Sequence, residues 1–126
     1  MTAVLDSSAL IALALGERGG DTVAAHARNA AISAVNITEV LQRLEEEGIG
    51  SEDALNLLGR LEVEIVPFTL DQARIAAELR RPTKHRGLSL GDRACLALTR
   101  ERGSVVLTSD TAWDGLDVGI EIRLIR

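Results

Sequence analysis

The stretch AVLDSSALIALAL, residues 3–15, indicates the fold class because it joins a short apolar run to a helix-forming segment through an acidic turn. The apolar run stops at Asp6, and the Ala- and Leu-rich residues 7–15 favour a helix that ends near Gly16. A strand that leads directly into a helix is the unit from which α/β proteins are built. The beginning of the chain therefore predicts an α/β fold.

The same alternation of strand and helix continues along the chain. Further strands are predicted at residues 30–35, 63–68, 105–107 and 120–125, and further helices at 36–48, 51–61, 70–80 and 89–102. Asn36, Ser51 and Ser89 are predicted as helix N-caps, and Gly103 as a helix end. Parallel strands need crossovers, which these helices supply. We expect one domain over residues 1–126, with three layers, α/β/α, around a mainly parallel sheet.

The composition excludes several classes of protein. A single Cys cannot form an intrachain disulfide, and with only two His it cannot complete a four-ligand zinc site. The longest apolar run, residues 9–15, is much shorter than the roughly 20 residues of a membrane span. We therefore expect a cytoplasmic protein with no membrane partner.

The charge of the chain argues against nonspecific binding to RNA. Nineteen acids against fourteen bases give a net charge of −5, which repels a polyanion unless the acids are localised. Four bases nevertheless lie within seven residues: Arg80, Arg81, Lys84 and Arg86. This run is either a patch that guides RNA or a solvated loop.

Four acids stand where a site in an α/β protein is expected. Asp6 ends the first strand and Asp110 ends a later one, and ligands bind beyond the carboxyl ends of such strands. Glu39, in NITE, and Asp92, in SLGD, lie near predicted helix starts. Taken singly, each acid is explained by helix capping, since Glu39 and Asp92 both follow a predicted cap by three residues.

Taken together, the four acids indicate a metal site. Carboxylates that converge on one cleft repel each other, and a hard divalent cation removes that repulsion. Mg²⁺ or Mn²⁺ prefers oxygen ligands and retains several waters. An ion of this kind can activate a water for attack on a phosphodiester, so the residue types fit nuclease chemistry.

The ordered set of motifs resembles the PIN-domain family. It comprises LDSSAL at 5–10, Glu39 early in its helix, SLGDRACLA at 89–97, and LTSD followed by Trp113. Within the family, the chain is similar to the VapC toxins of bacterial and archaeal toxin-antitoxin pairs, across essentially its whole length. Toxins of this kind are ribonucleases that work as homodimers, and a cognate antitoxin silences them with a C-terminal segment across the cleft.

The resemblance also implies roles for individual residues. Asp6 and Asp92 would be direct ligands of Mg²⁺ or Mn²⁺, and Glu39 and Asp110 would act through water. Asp114 resembles an extra acid of some members, although its position beside Trp113 also fits an ordinary loop residue.

Several other side chains have weaker interpretations. Ser8 or Ser109 could hydrogen-bond an acid or a water at the site, but a hydroxyl after a strand is more often a turn or cap residue. Cys95 is predicted to be buried filler, and Trp113 to cover the site or to pack in the core. His26 and His85 have no partners in sequence that would indicate nucleophilic catalysis.

Two other α/β families also place acids after strands. A phosphate-receiver domain needs paired acids after its first strand and a Lys after a later strand, but two Ser follow Asp6 and no later predicted strand ends in Lys. A phosphatase of the haloacid-dehalogenase type needs a second Asp where Ser8 stands. Both families therefore lack a required group.

Two alternatives within the PIN family stay open. A noncatalytic PIN fold that binds RNA or protein would be recognised by loss of one of the four acids, and none is lost. A PIN nuclease that processes RNA without being a toxin has the same residues. A neighbouring gene for a small antitoxin would distinguish a toxin from such a processing enzyme.

Overall fold

The computed structural model describes residues 2–126, which form a five-stranded sheet covered by helices. The strands are β1 (Ala3–Leu5), β2 (Ala31–Ser33), β3 (Glu64–Val66), β4 (Val105–Thr108) and β5 (Glu121–Leu124). The helices are α1 (Ser7–Leu15), α2 (Gly20–Ala27), α3 (Ala34–Glu46), α4 (Ser51–Arg60), α5 (Leu70–Glu78), α6 (Arg80–Thr83) and α7 (Leu90–Arg102). Short 3-10 turns occupy Lys84–Arg86 and Thr111–Trp113. Within the described residues, no helix is long and apolar enough to cross a membrane.

All neighbouring strands are parallel, in the order β3-β2-β1-β4-β5. The chain winds from β1 through β2 to β3 on one side, and β4 and β5 lie on the other, so the winding direction reverses between β1 and β4. Such a reversal leaves a crevice beyond the carboxyl ends of the two strands, where open α/β sheets bind ligands. Leu5 is level with Leu107 in the register, so the residues after β1 and β4 meet at this crevice.

The two faces of the sheet are buried in separate apolar clusters. Successive side chains of a strand point to opposite faces, and in β1 Leu5 packs with α1 and α3 while Val4 packs with α7. The second cluster also contains Trp113, which is fully buried. The predicted α/β class with three layers and a mainly parallel sheet is confirmed.

Some predicted boundaries were wrong. Helix α3 begins at Ala34 because the Ser33 hydroxyl caps it, accepting a hydrogen bond from the Val35 N–H. The predicted cap, Asn36, is instead a buried residue of the first turn. Gly50, rather than Ser51, is the N-cap of α4.

The basic run differs from the solvated loop that was one interpretation of its sequence. Residues 80–86 form α6 and the 3-10 turn after it, rather than a loop. The predicted cap Ser89 and end Gly103 of α7 are both confirmed. Because only three residues separate the turn from α7, the basic run is attached closely to the helix that carries Asp92.

Candidate active site

Asp6 is buried directly after β1, with 5% of its surface exposed. Its Oδ1 accepts hydrogen bonds from the Ser8 hydroxyl at 2.7 Å and from the Ala9 N–H at 2.8 Å. Its Oδ2 accepts a bond of 2.5 Å from the Thr108 hydroxyl at the end of β4. Asp6 is therefore the N-cap of α1, as the capping interpretation required, and it is also bonded across the crevice between β1 and β4.

Burial changes the acidity of Asp6. Desolvation raises its pKa to about 6, although the hydrogen bonds from Thr108, Ser8 and Ala9 act in the opposite direction. The negative charge of Asp92 raises the pKa further. The ionised form is thus disfavoured by its surroundings and would be stabilised by a nearby positive charge.

The end of β4 is hydrogen-bonded to the start of α1. The Ser109 N–H donates to the Ser8 hydroxyl at 3.0 Å, and the Asp110 N–H donates to the Thr108 hydroxyl at 3.0 Å. The carboxylate of Asp110 is exposed and caps the turn Thr111–Trp113. Ser8 thus contributes its side chain to this network, whereas Ser109 contributes its backbone.

Asp92 lies in the first turn of α7 and completes a capping box. Its N–H donates to the Ser89 hydroxyl at 3.1 Å, and its Oδ2 accepts from the Ser89 N–H at 2.9 Å. Partial burial raises the pKa of Asp92, and the negative charges of Asp110 and Glu39 raise it further. Asp92 is therefore a structural cap that also lies within electrostatic reach of the other acids.

Glu39 projects from the second turn of α3 rather than from a capping box, since the cap of this helix is Ser33. Its Oε1 accepts a hydrogen bond of 2.8 Å from the Asn36 side-chain amide. The carboxylate lies against Gly91, where an added Cβ would be 2.9 Å from Oε2. The capping interpretation of Glu39 is therefore wrong, and its carboxylate instead lies beside the start of α7.

The four predicted acids thus lie at the same end of the sheet, and Asp92 is within electrostatic reach of the other three. Asp92 raises the pKa of Asp6, and Glu39 and Asp110 raise that of Asp92. Within residues 2–126, however, no three Asp, Glu, His or Cys side chains already lie close enough together to hold a metal ion directly. An all-oxygen, mutually repelling set suits an ion such as Mg²⁺ that keeps several of its own waters between itself and the protein.

The segment after Asp110 is held by Arg86 from the basic run. The Arg86 guanidinium donates to the carbonyls of Ala112 at 2.9 Å and Asp114 at 2.7 Å. Asp114 is exposed to solvent. Trp113 packs in the core, and its indole N–H has no hydrogen-bond partner among the described residues. Core packing therefore explains Trp113.

The remaining residues of the basic run are Arg80, Arg81 and Lys84, and all three are exposed. Arg86 places their segment beside the turn that follows Asp110. At its Arg86 end the basic run is therefore close to the segment that carries Asp110.

Two polar residues of this region were not identified from the sequence. Thr108 bonds Asp6 from a position 102 residues away, and Asn36 bonds Glu39 from one helical turn before it. The only signals were a hydroxyl at the end of a buried strand and a carboxamide at helical spacing from an acid. Cys95 is buried as predicted, with its thiol 3.7 Å from the Leu5 carbonyl, and burial raises its pKa.

Comparison with known proteins identifies the family. The PIN domain model matches residues 3–118, and no curated protein gives a significant sequence match. A toxin-antitoxin complex from Klebsiella pneumoniae is similar, with a TM-score of 0.79 and 21% identity over 99% of this chain and 98% of that one. DNA-bound VapBC from Salmonella typhimurium gives a TM-score of 0.76 and 15% identity over 100% of this chain and 99% of that one.

A third similar structure is VapC20 from Mycobacterium tuberculosis, a sarcin-ricin loop cleaving toxin. Its TM-score is 0.71 and its identity 20%, over 95% of this chain and 99% of that one. At such identities the structures show a shared fold, while the family model matches residues 3–118, the range in which all four acids lie. The resemblance seen in the sequence is confirmed, and the chain belongs to the PIN-domain family.

Proposed function

We propose that the chain is a Mg²⁺- or Mn²⁺-dependent endoribonuclease and the toxin of a toxin-antitoxin pair. The observation that carries the proposal is the gathering of Asp6, Glu39, Asp92 and Asp110 at the crevice between β1 and β4, with no positive side chain bonded to any of their carboxylates in the described residues. Carboxylates that lie together without a positive partner repel each other, and a bound cation would remove this repulsion.

Asp6 and Asp92 are proposed to bind the ion, and Glu39 and Asp110 to bind its waters. Asp6 Oδ2 accepts one hydrogen bond from protein, so a lone pair is left for a ligand. Ser8 and Thr108 fix the orientation of the Asp6 carboxylate, and Ser89 fixes that of Asp92. When bound, Mg²⁺ or Mn²⁺ supplies an acidified water for in-line attack and offsets the charge of the phosphodiester.

RNA is proposed to approach along the exposed basic residues Arg80, Arg81 and Lys84. A polyanion that approaches four carboxylates needs flanking positive charge, and this run lies next to the turn that follows Asp110. Arg86 is committed to the carbonyls of that turn, so its contribution is to hold the run in place and to add positive charge.

The toxin role is supported by the similar structures, which are described as a toxin-antitoxin complex, a DNA-bound VapBC and a toxin that cleaves the sarcin-ricin loop. By analogy, we propose a cognate antitoxin as the protein partner and a homodimer as the active form. Expression in a bacterium should arrest growth, and Asp92→Asn should abolish the arrest. Growth unaffected by a protein that cuts RNA in vitro would favour the RNA-processing alternative.

Cleavage of a looped RNA by the purified chain tests the nuclease proposal. We expect cleavage with Mg²⁺ or Mn²⁺, none with a chelator, and products with 5′-phosphate and 3′-hydroxyl ends. Asp92→Asn should remove activity and keep the fold, since the amide oxygen can still accept from the Ser89 N–H. Asp53→Asn, an exposed acid in the first turn of α4, is the matched control and should keep full activity.

Three results would contradict the proposal in different ways. Cleavage that persists in the chelator excludes a metal requirement. Products with cyclic phosphate ends indicate attack by the ribose 2′-hydroxyl. A wild-type protein that binds RNA without cutting it with either ion is a noncatalytic PIN fold.

A further inference from the structure

Asn36 is a buried polar residue on the side of α3 that contacts α7, with 1% of its surface exposed. Its amide nitrogen donates one hydrogen bond of 2.8 Å to Glu39 Oε1 and another of 3.0 Å to the Gly91 carbonyl. Both acceptors lack a proton to give, so only the NH₂ end of the carboxamide can face them. Both amide protons are used, and the orientation of Asn36 is therefore fixed.

The other end of the carboxamide has no structural use in the described residues. The Asn36 carbonyl oxygen is buried without a hydrogen-bond partner, and an unpartnered polar atom is unfavourable in a protein interior. An apolar residue at this position would avoid that cost. The two bonds made by the amide nitrogen are thus the reason for a carboxamide here.

Gly91 also lies against the Glu39 carboxylate. A Cβ at this position would be 2.9 Å from Oε2, 3.0 Å from Oε1 and 3.1 Å from Cδ of Glu39. Such distances are shorter than carbon and oxygen atoms accept, so the side chain of Glu39 would have to move. The backbone of Gly91 is ordinary α-helix, which any residue can adopt. Space for the carboxylate in its present position, and not backbone conformation, therefore favours a glycine at residue 91.

We propose that Asn36 and Gly91 form a cradle that holds the otherwise exposed Glu39 carboxylate beside Asp92, which makes Asn36 a positioning residue of the metal site. This inference rests on the proposed function, because it gives Glu39 a place in the binding of the ion. One Glu39 oxygen is bonded to Asn36, and Oε2 makes no hydrogen bond to the described residues and is left for a water of the ion. Without the cradle, a long side chain on the surface of α3 would leave the other acids.

If the cradle exists, the methyl group added by Gly91→Ala should be compensated by the shorter side chain of Glu39→Asp. Gly91→Ala should displace the carboxylate and weaken Mn²⁺ binding by roughly 10- to 100-fold, as removal of outer-shell partners does. Glu39→Asp draws the carboxylate back by about one bond, ~1.5 Å, so it should weaken binding when Gly91 is present. In the Gly91→Ala background the same change makes room for the Cβ, and binding should improve.

Calorimetric titration with Mn²⁺ in the absence of RNA measures the affinity for the ion in wild type, the two single variants and the double variant. Gly59→Ala is the matched control because it adds a methyl group to a helical glycine with open space around it, and it should bind Mn²⁺ like wild type. Asn36→Ala should weaken binding to a similar degree as Gly91→Ala, whereas Asn56→Ala on the exposed face of α4 should not. Circular dichroism shows whether each variant is folded.

The reversed sign of the Glu39→Asp effect is the result expected from a cradle, since general destabilisation would weaken binding in both backgrounds. If the Gly91→Ala and Asn36→Ala variants bind Mn²⁺ like wild type, the inference is overturned and the proposed function stays intact. The same holds if Glu39→Asp changes the affinity for Mn²⁺ in the same direction in both backgrounds. A wild-type protein that binds no Mn²⁺ overturns the proposed function together with the inference.

Discussion

Asp6 is a buried carboxylic acid whose hydrogen-bond donors are all neutral. The Ser8 and Thr108 hydroxyls and the Ala9 N–H bond both of its oxygens, but none carries a charge. Burial outweighs these bonds and raises the pKa to about 6. Near neutral pH the folded protein therefore holds an ionised group that its interior disfavours, and a bound cation would remove that cost.

We predict that the contribution of Asp6 to the stability of the metal-free protein falls as pH rises from about 4 to 6. The unfolded chain releases the Asp6 proton near pH 3.8 and the folded protein near pH 6. Because the raised pKa favours the protonated form, Asp6 adds stability to the folded state below pH 3.8, and this contribution is lost as pH rises through 6. A shift of about two pKa units corresponds to about 3 kcal/mol. Asp6→Asn should therefore be more stable than wild type at pH 7 without metal, and inactive.

Urea unfolding at a series of pH values with a chelator measures this difference. The gain of Asp6→Asn over wild type should shrink towards pH 4, where wild-type Asp6 is protonated as well. Asp53→Asn, an exposed acid, provides the comparison. Clear destabilisation of Asp6→Asn at pH 7 would mean that capping of α1 outweighs the cost of the buried charge.

Helix and strand boundaries show which local signals were sufficient. The ends of α7 could be predicted because Ser89 and Gly103 mark them with the chemistry of their own residues. Helix α2 was missed because its cap, Gly19, has no side chain to signal a start. Asn36 is of a residue type that often caps helices, but Ser33 caps α3, and Asn36 instead bonds Glu39 and Gly91, the latter 55 residues away.

At the scale of elements, we predict that α6 and the turn after it bind RNA electrostatically. Arg81→Ala with Lys84→Ala should weaken RNA binding most at low salt, and the salt slope should fall by about 0.7 for each phosphate of a single strand that is no longer neutralised. Cleavage of bound RNA should change little. The control is Arg28→Ala with Arg60→Ala, which removes the same charge from exposed positions near the other end of the sheet.

Binding measured over a salt series in a catalytically inactive background separates the alternatives. Equal weakening in the basic-run variant and the control would indicate a general charge effect. An unchanged affinity and slope for the basic-run variant would assign Arg81 and Lys84 to solvent or to a protein partner.

For the whole molecule, the proposed function couples metal binding to stability. An ion that binds only the folded state at 100 times its Kd adds about 2.7 kcal/mol to the free energy of unfolding. Mn²⁺ should therefore raise the thermal unfolding temperature at pH 7.5, and by less at pH 5, where the ion must displace the proton of Asp6. Differential scanning calorimetry measures the shift, which Asp92→Asn should reduce and Asp53→Asn should retain. An equal shift in all three proteins would indicate nonspecific binding.

The candidate site was predictable to the extent that its parts are visible in sequence. Asp6 and Asp110 follow apolar strands, and Asp92 follows a capping Ser by three residues. The positions of these three acids in the fold could therefore be predicted from the sequence. The role of Thr108 could not be predicted, because the bond that gives it this role joins residues 102 positions apart. The position of Glu39 relative to α7 depends on packing between helices, which no local pattern encodes.

The adjacency of β1 and β4 also determines when the crevice can exist during synthesis. The hydrogen bond between Asp6 and Thr108 spans 102 residues, and Asp92 and Asp110 are likewise translated late. A nascent chain that ends after α3 has two of the four acids and lacks β4, whose Thr108 bonds Asp6. A ribosome making this protein therefore exposes no complete site until nearly the whole domain has been translated.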